Sequence, residues 1–163
     1  MITLVLGGAR SGKSAVAERL AAGSVEVTYV ATAVARDPDM AGRIDAHRAR
    51  RPAGWRTVEA GPEVVDAVQG ATGTVLVDSL TTWVAEAEGF VVDAEGLCRA
   101  LRDRAGNAVV VSDEVGLGVH PSTEAGRHFR DALGLLNQAV AAVADDVWLV
   151  VAGRVLPLPQ AAV

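Results

Sequence analysis

Eight consecutive residues near the start of the chain have the types and the spacing that bind a chain of phosphates. Residues 7–14 read Gly-Gly-Ala-Arg-Ser-Gly-Lys-Ser, which satisfies the P-loop pattern G-x-x-x-x-G-K-S/T. Glycines let the backbone wrap around phosphate oxygens, and the positive end of a following helix adds to the attraction. We expect Lys13 to reach the β- and γ-phosphates of a nucleotide and Ser14 to enter the coordination shell of Mg²⁺. The alternative is a chance glycine-rich turn whose serine caps a helix.

Lys13 is also the only lysine of the chain. The 163 residues carry 15 basic and 20 acidic side chains, and every other basic residue is an arginine. Lysine is a compact point charge, whereas the planar fork of arginine is too broad for a phosphate loop. The net charge of −5 argues against non-specific binding to nucleic acid or to an anionic membrane, but it does not exclude a phosphate ligand.

A P-loop needs an acidic partner at the end of a neighbouring strand, and two aspartates qualify. Asp78 ends the apolar run 74–78, and Asp113 ends the run 108–113 with Glu114 directly after it. Each carboxylate is suited to hold the metal, directly or through water. Each is equally suited to cap the next helix. The residues alone leave this choice open, and Asp78, Asp113 and Glu114 all remain candidates for the general base of a phosphoryl transfer.

Residues 43–52 form a basic cluster in this acidic chain. At helical spacing Arg43, His47 and either Arg50 or Arg51 share one face, so that an imidazole lies among guanidinium groups. Neighbouring cations favour the neutral imidazole, which keeps a ring nitrogen available as a nucleophile, and the arginines can neutralise a phosphate under attack. The alternative is a solvated helix face that carries an incidental histidine.

Short β-branched runs alternate with segments of helical period, which predicts an α/β fold with a mostly parallel sheet flanked by helices. We expect one P-loop nucleotide-binding domain over residues 1–163, in which Cys98 is reduced and buried on a helix face. The absence of a long apolar run and of a basic leader predicts a cytoplasmic protein. The predicted strands are 2–6, 26–31, 74–78, 108–113 and 147–152, with an uncertain one at 55–58. The predicted helices are 13–23, 39–51, 62–69, 79–88, 94–105 and 122–144, the last of which Gly126 and Gly134 could interrupt.

Several spaced motifs in a fixed order then identify a family. The chain resembles the bifunctional adenosylcobinamide kinase and adenosylcobinamide-phosphate guanylyltransferase family of cobalamin (vitamin B12) biosynthesis over essentially its whole length. The segments that carry this resemblance are residues 7–14, 29–33, 43–52, 55–59, 77–82, 113–121, 127–131, 136–138 and 146–151.

The resemblance implies an activity and the residues that perform it. Family members phosphorylate adenosylcobinamide with ATP or GTP, and then transfer GMP from GTP to that phosphate through a guanylylated histidine, which corresponds to His47. The resemblance favours Asp78 as the acidic partner, so that Ser14 and Asp78 are the expected Mg²⁺ residues. It also implies a homotrimer. The implied nucleotide-binding residues are Gly7, Gly8, Ala9, Arg10, Ser11, Gly12, Lys13, Ser14, Ala31, Thr32, Ala33, Arg48, Ala49, Arg50, Arg51, Glu59 and Asp78.

The chain departs from the family pattern in places. Asp113 stands where asparagine is common, the segment between Trp83 and Leu97 is shorter than in some relatives, and residues 154–159 match nothing assignable. Two alternative functions remain at this stage. One is a P-loop kinase of another small metabolite, with the arginine helix as a phosphate clamp. The other is a nucleotide-dependent switch protein.

Overall fold

The computed structural model describes residues 1–33 and 51–160. Its centre is a seven-stranded sheet with the strand order β3-β2-β4-β5-β1-β6-β7. All neighbouring pairs are parallel except β6 and β7, which pair antiparallel. The strands are β1 (Ile2–Gly7), β2 (Val27–Ala31), β3 (Arg56–Glu59), β4 (Thr74–Asp78), β5 (Ala108–Asp113), β6 (Asp146–Val151) and β7 (Arg154–Pro157).

Helices cover both faces of this sheet. Those described are α1 (Lys13–Ala21), α2 (Val64–Gln69), α3 (Leu80–Glu86), α4 (Ala94–Asp103) and α5 (Glu124–Ala141), with a 3₁₀ turn at Glu88–Phe90. On one face α2 to α5 pack against strand residues such as Leu4 and Val110, whereas α1 packs on the other face against Val5 and Val111. The continuous apolar runs of the central strands are explained by this arrangement, because both faces of each strand are buried.

The α/β architecture predicted from the alternating runs is confirmed. The expected strands 2–6, 26–31, 74–78, 108–113 and 147–152 all form within one residue or so of their predicted ends, and the uncertain strand at 55–58 is β3. Cys98 is buried on α4 as a free thiol. No helix among the described residues is long and apolar enough to span a membrane.

Residues 154–159, which matched nothing assignable in the sequence, begin with strand β7, which folds back on β6. Neither Gly126 nor Gly134 interrupts α5, whose first turn Thr123 caps by accepting a hydrogen bond from the Gly126 N–H. The predicted helix 39–51 falls almost wholly outside the described residues, and Arg51, its last residue, lies outside any helix.

Candidate nucleotide-binding site

The P-loop lies between the carboxyl end of β1 and the start of α1, where its mechanism requires it. Gly7 ends the strand, and a Cβ at that position would lie 2.7 Å from the carbonyl oxygen of Val150 on β6. Gly12 precedes the helix with φ +94°, a conformation that favours glycine. The Gly153 N–H donates to the Ser11 carbonyl oxygen at 2.7 Å, so the turn between β6 and β7 supports the loop from the side. The sheet and its last hairpin therefore shape the loop.

The inner surface of the loop has unused donors. No side chain caps the N-terminus of α1, which leaves N–H groups of its first turn available to an anion. The Ser11 hydroxyl is buried and has no hydrogen-bond partner within the described part of the chain. Groups of this kind are satisfied when phosphate oxygens enter the loop.

Lys13 projects from the first turn of α1 onto the neighbouring strand. Its Nζ lies 2.5 Å from Oδ1 of Asp113, and it donates to the Gly8 carbonyl oxygen at 3.4 Å. The two side chains of this ion pair are only 13% and 22% exposed, so water screens their attraction less than it screens a surface pair. In this arrangement Asp113 is the charged partner of the lysine that the P-loop pattern assigns to phosphates.

The position of Asp113 is set by three elements. β5 pairs directly with β1, and Asp113 is in register with Gly7. The Asp113 N–H donates to Thr81 Oγ1 on α3 at 2.8 Å, and its carbonyl oxygen accepts from Asn137 Nδ2 on α5 at 3.0 Å. Sequence reasoning missed Thr81 and Asn137 as supports of the site. Both fall within segments that carry the family resemblance, but their residue types alone point to no role.

Asp78, the other candidate carboxylate, has a different environment. It ends β4, which is separated from β1 by β5. Its Oδ2 accepts a hydrogen bond of 2.7 Å from the hydroxyl of Tyr29 on β2. Burial is the main reason that the pKa of Tyr29 is raised well above its ordinary value, and the charge and hydrogen bond of Asp78 raise it further, while Arg51 opposes the shift. Strand order thus pairs Asp113 with Lys13 and Asp78 with Tyr29. The sequence alone could not assign these partners.

The other expected nucleotide contacts in the described residues lie along the same sheet edge. Ala31 at the end of β2 is in register with Glu59 of β3 on one side and with Asp78 of β4 on the other. Thr32 is fully buried behind this edge, where its hydroxyl donates to the Ser79 carbonyl oxygen at 2.7 Å and also contacts Thr82 Oγ1. Thr32 therefore joins the end of β2 to the residue after β4 by hydrogen bonds, while Ala31 and Ala33 are half-buried at the edge.

The basic cluster is represented in the described residues by Arg51. Its guanidinium carbon lies 3.3 Å from the centroid of the Tyr29 ring, and its Nη1 donates to Thr57 Oγ1 at 3.2 Å. The rest of the cluster lies outside the described residues: Arg43, His47, Arg48, Ala49 and Arg50. Because the Tyr29 ring contacts Arg51 and the Tyr29 hydroxyl contacts Asp78, a single side chain links the end of the basic cluster to Asp78.

The residues of the loop fit a magnesium ion that arrives with a nucleotide. Mg²⁺ is usually held by one or two protein oxygens together with phosphate oxygens and water, so a site formed by protein side chains alone is not required. Within residues 1–33 and 51–160, no three His, Cys, Asp or Glu side chains are grouped to hold a metal. Ser14 is the second residue of α1, directly after Lys13, and Asp78 and Asp113 end strands at the same sheet edge. These oxygen donors, with the unpartnered Ser11 hydroxyl among them, suit a hard cation.

Comparison with known proteins gives one family match and several relatives. A family model described as "Cobinamide kinase / cobinamide phosphate guanyltransferase" matches residues 3–158. The chain is 43% identical to the bifunctional adenosylcobalamin biosynthesis protein CobP of Pseudomonas aeruginosa, and the match covers 97% of both chains. It is 39% identical to the protein CobU of Escherichia coli, which bears the same bifunctional description, over 94% of this chain and 97% of the relative. CobU of Salmonella typhimurium has the same identity and coverage.

The chain is also similar to solved structures, among them two phage proteins. The P4 protein from bacteriophage phi13 is similar with a TM-score of 0.45 and 17% identity, over 95% of this chain and 52% of that chain. The P4 protein from bacteriophage phi6, in complex with ADP, gives a TM-score of 0.43 and 18% identity, over 94% of this chain and 52% of that chain.

Proposed function

The chain belongs to the cobinamide kinase / cobinamide phosphate guanyltransferase family, and on this premise we propose the two reactions that it catalyses. The first is phosphorylation of adenosylcobinamide with ATP or GTP. The second is transfer of GMP from GTP to adenosylcobinamide phosphate, which gives adenosylcobinamide-GDP in cobalamin biosynthesis. The observation that carries the proposal is a complete P-loop at a sheet edge that also holds the end of the arginine cluster.

The kinase step is assigned to the P-loop. Lys13 exchanges Asp113 for the β- and γ-phosphates, because the triphosphate carries more negative charge than one carboxylate. The loop amides and the start of α1 bind the remaining phosphate oxygens. Ser14 and Asp78 are proposed to hold Mg²⁺, which neutralises charge on the transferred phosphoryl group. The same proposal includes the remaining nucleotide-binding residues implied by the family, which are Gly7, Gly8, Ala9, Arg10, Ser11, Gly12, Ala31, Thr32, Ala33, Arg48, Ala49, Arg50, Arg51 and Glu59.

The guanylyl transfer is assigned to His47. A ring nitrogen of His47 attacks the α-phosphorus of GTP, a P–N bond forms, and the bond to the bridging oxygen breaks to release pyrophosphate. An oxygen of adenosylcobinamide phosphate then attacks the same phosphorus, and the P–N bond breaks to free His47. The neighbouring arginines Arg48, Arg50 and Arg51 neutralise the phosphates during both displacements.

Organisation and partners complete the proposal. We assign both activities to one domain spanning residues 1–163, acting in the cytoplasm on adenosylcobinamide and its phosphate, without nucleic-acid binding or membrane insertion. A homotrimer is the assembly expected from the family. Measurement of molar mass by light scattering tests the trimer independently of activity.

The proposed function is tested with two labelled nucleotides and two variants. Wild-type protein incubated with GTP labelled at the α-phosphate should acquire a label that is stable in alkali and labile in acid, and His47→Ala should not. Lys13→Ala should lose phosphate transfer from γ-labelled nucleotide to adenosylcobinamide while the fold is retained. A kinase of another metabolite would give no protein label, and a switch protein would show neither label nor cobinamide-dependent turnover. Either result would overturn the proposal.

A further inference from the structure

Tyr29 is the only tyrosine of the chain, and it lies between Asp78 and Arg51, the last arginine of the basic cluster. It is in the middle of β2, 2% exposed, on the face of the sheet that packs against α1. The hydroxyl contacts Asp78 at 2.7 Å, and the ring carries the Arg51 guanidinium at 3.3 Å. The Trp55 ring, at 6.5 Å between centroids, packs beside it. One buried side chain thus contacts both the carboxylate assigned to the kinase step and the end of the arginine cluster.

The two contacts use different parts of the tyrosine. A hydrogen bond from the hydroxyl to a carboxylate oxygen occupies that oxygen and limits rotation of the carboxyl group, so the direction of the other oxygen is restricted. The ring face attracts the guanidinium through its quadrupole, which fixes where the arginine cluster meets the sheet. Phenylalanine would keep the second contact and lose the first. Leucine would lose both.

We propose that Tyr29 is a positioning residue for both reactions: its hydroxyl orients Asp78 for the metal-dependent kinase step, and its ring holds Arg51 in place for guanylyl transfer. This inference rests on the proposed function. It assigns to Tyr29 no contact with the reacting atoms. It predicts that the two reactions respond differently to removal of the hydroxyl and of the ring.

The test compares Tyr29→Phe with Tyr29→Leu in the full-length protein. The Mg²⁺ concentration that half-saturates binding of a non-hydrolysable ATP analogue, measured by calorimetric titration, should rise about tenfold in Tyr29→Phe, because outer-sphere partners of metal ligands have effects of this size. The Mg²⁺ concentration for half-maximal phosphorylation of adenosylcobinamide should rise with it. The rate of labelling by α-labelled GTP should change less than about twofold in this variant, since the ring remains. In Tyr29→Leu the labelling rate should fall roughly fivefold as well, which is within the range of a cation–π contact.

Thr28→Val provides the matched control on the same strand. Thr28 is also buried, and its hydroxyl donates to the Thr72 carbonyl oxygen at 3.0 Å, so the variant loses a comparable hydrogen bond outside the site. Its half-saturating Mg²⁺ concentration should match that of the wild type. If Thr28→Val and Tyr29→Phe give the same shift, or if Tyr29→Phe gives none, Tyr29 has only a structural role and the inference is wrong.

Failure of the inference is distinguishable from failure of the proposed function. If wild-type protein neither phosphorylates adenosylcobinamide nor acquires label, the proposed function is wrong. If the wild type does both and Tyr29→Phe retains the wild-type Mg²⁺ dependence, only the inference is wrong. Because Tyr29→Phe changes one atom in a position where the ring still fits, it keeps the test valid even if Tyr29→Leu does not fold.

Discussion

At the scale of single residues, the ion pair of Lys13 and Asp113 bears directly on how the P-loop binds a nucleotide. The pair holds the Lys13 ammonium group in place on β5, where both side chains are largely shielded from water. The same carboxylate competes with phosphate for the lysine and repels a triphosphate. We therefore expect Asp113 to weaken nucleotide binding in the absence of metal, at a position where the family resemblance leads one to expect asparagine.

We expect Asp113→Asn to bind nucleotide more tightly when Mg²⁺ is absent. Removing one negative charge beside the phosphates should contribute about 1 kcal/mol, or roughly fivefold in Kd. The fold should be retained, because the contacts of residue 113 with Thr81 and Asn137 use its backbone. Calorimetric titration with nucleotide in EDTA measures the effect.

Asp131→Asn is the control for that prediction, since it removes the same charge from an exposed carboxylate that pairs with Arg130 on α5. Its Kd should equal that of the wild type. Unchanged or weaker metal-free binding by Asp113→Asn would show that the carboxylate does not compete for Lys13.

At the scale of elements, the P-loop is a strand end, a turn and a helix start that must meet a neighbouring hairpin. β6 and its turn into β7 approach the loop through Val150 and Gly153. The requirement for glycine therefore differs between positions of one motif. At Gly7 it comes from the close approach of another strand, whereas at Gly12 it comes from backbone conformation.

Two alanine substitutions test the close-approach requirement at Gly7 by stability alone. Gly7→Ala should lower the free energy of unfolding by about 2 kcal/mol or more, because the new methyl group meets a backbone carbonyl that cannot move without shifting β6. Gly8→Ala, with nothing within 4 Å of its Cβ, should change it by less than about 0.5 kcal/mol. Urea unfolding without nucleotide measures both. Equal losses in the two variants would contradict this explanation.

At the scale of the whole molecule, one buried tyrosine links global stability to pH. The folded-state pKa of Tyr29 is raised, so the folded protein retains a proton that the unfolded chain releases above its ordinary pKa of about 10. A raised pKa stabilises the fold fully below that value, and the contribution is lost as pH rises past it. The loss of folding stability at high pH therefore depends in part on Tyr29.

Tyr29→Phe should remove this pH dependence. One pH unit above the ordinary tyrosine pKa of about 10, the free energy of unfolding of the wild type should have fallen by about 1.4 kcal/mol more than that of the variant, relative to neutral pH. The raised pKa of the buried Cys98 thiol adds an alkaline loss that is common to both proteins. Urea unfolding at the two pH values gives the comparison. Parallel losses in the two proteins would contradict the assignment to Tyr29.

Much of this protein is determined locally, and the sequence alone was sufficient for that part. Strand and helix periodicity predicted α1 to α5 and the central strands β1, β2, β4 and β5, because these strands are buried on both faces and each helix on one. The more exposed β3 was predicted only as an uncertain strand. The P-loop was predictable because its function depends on eight consecutive residues. Strand β7 was missed, since its four residues are all exposed and lack the apolar pattern of a buried strand.

The remaining part depends on which strands lie side by side, and only the tertiary structure decided it. Asp78 and Asp113 follow equivalent apolar runs, and nothing in such runs encodes lateral strand order. The order β4-β5-β1 places Asp113 on Lys13 and leaves Asp78 to Tyr29, a residue 49 positions earlier in the chain. Periodicity reports which face of an element is buried, whereas a contact between distant residues is set by how elements pack. This is the physical reason that the phosphate loop could be predicted and the partners of its two carboxylates could not.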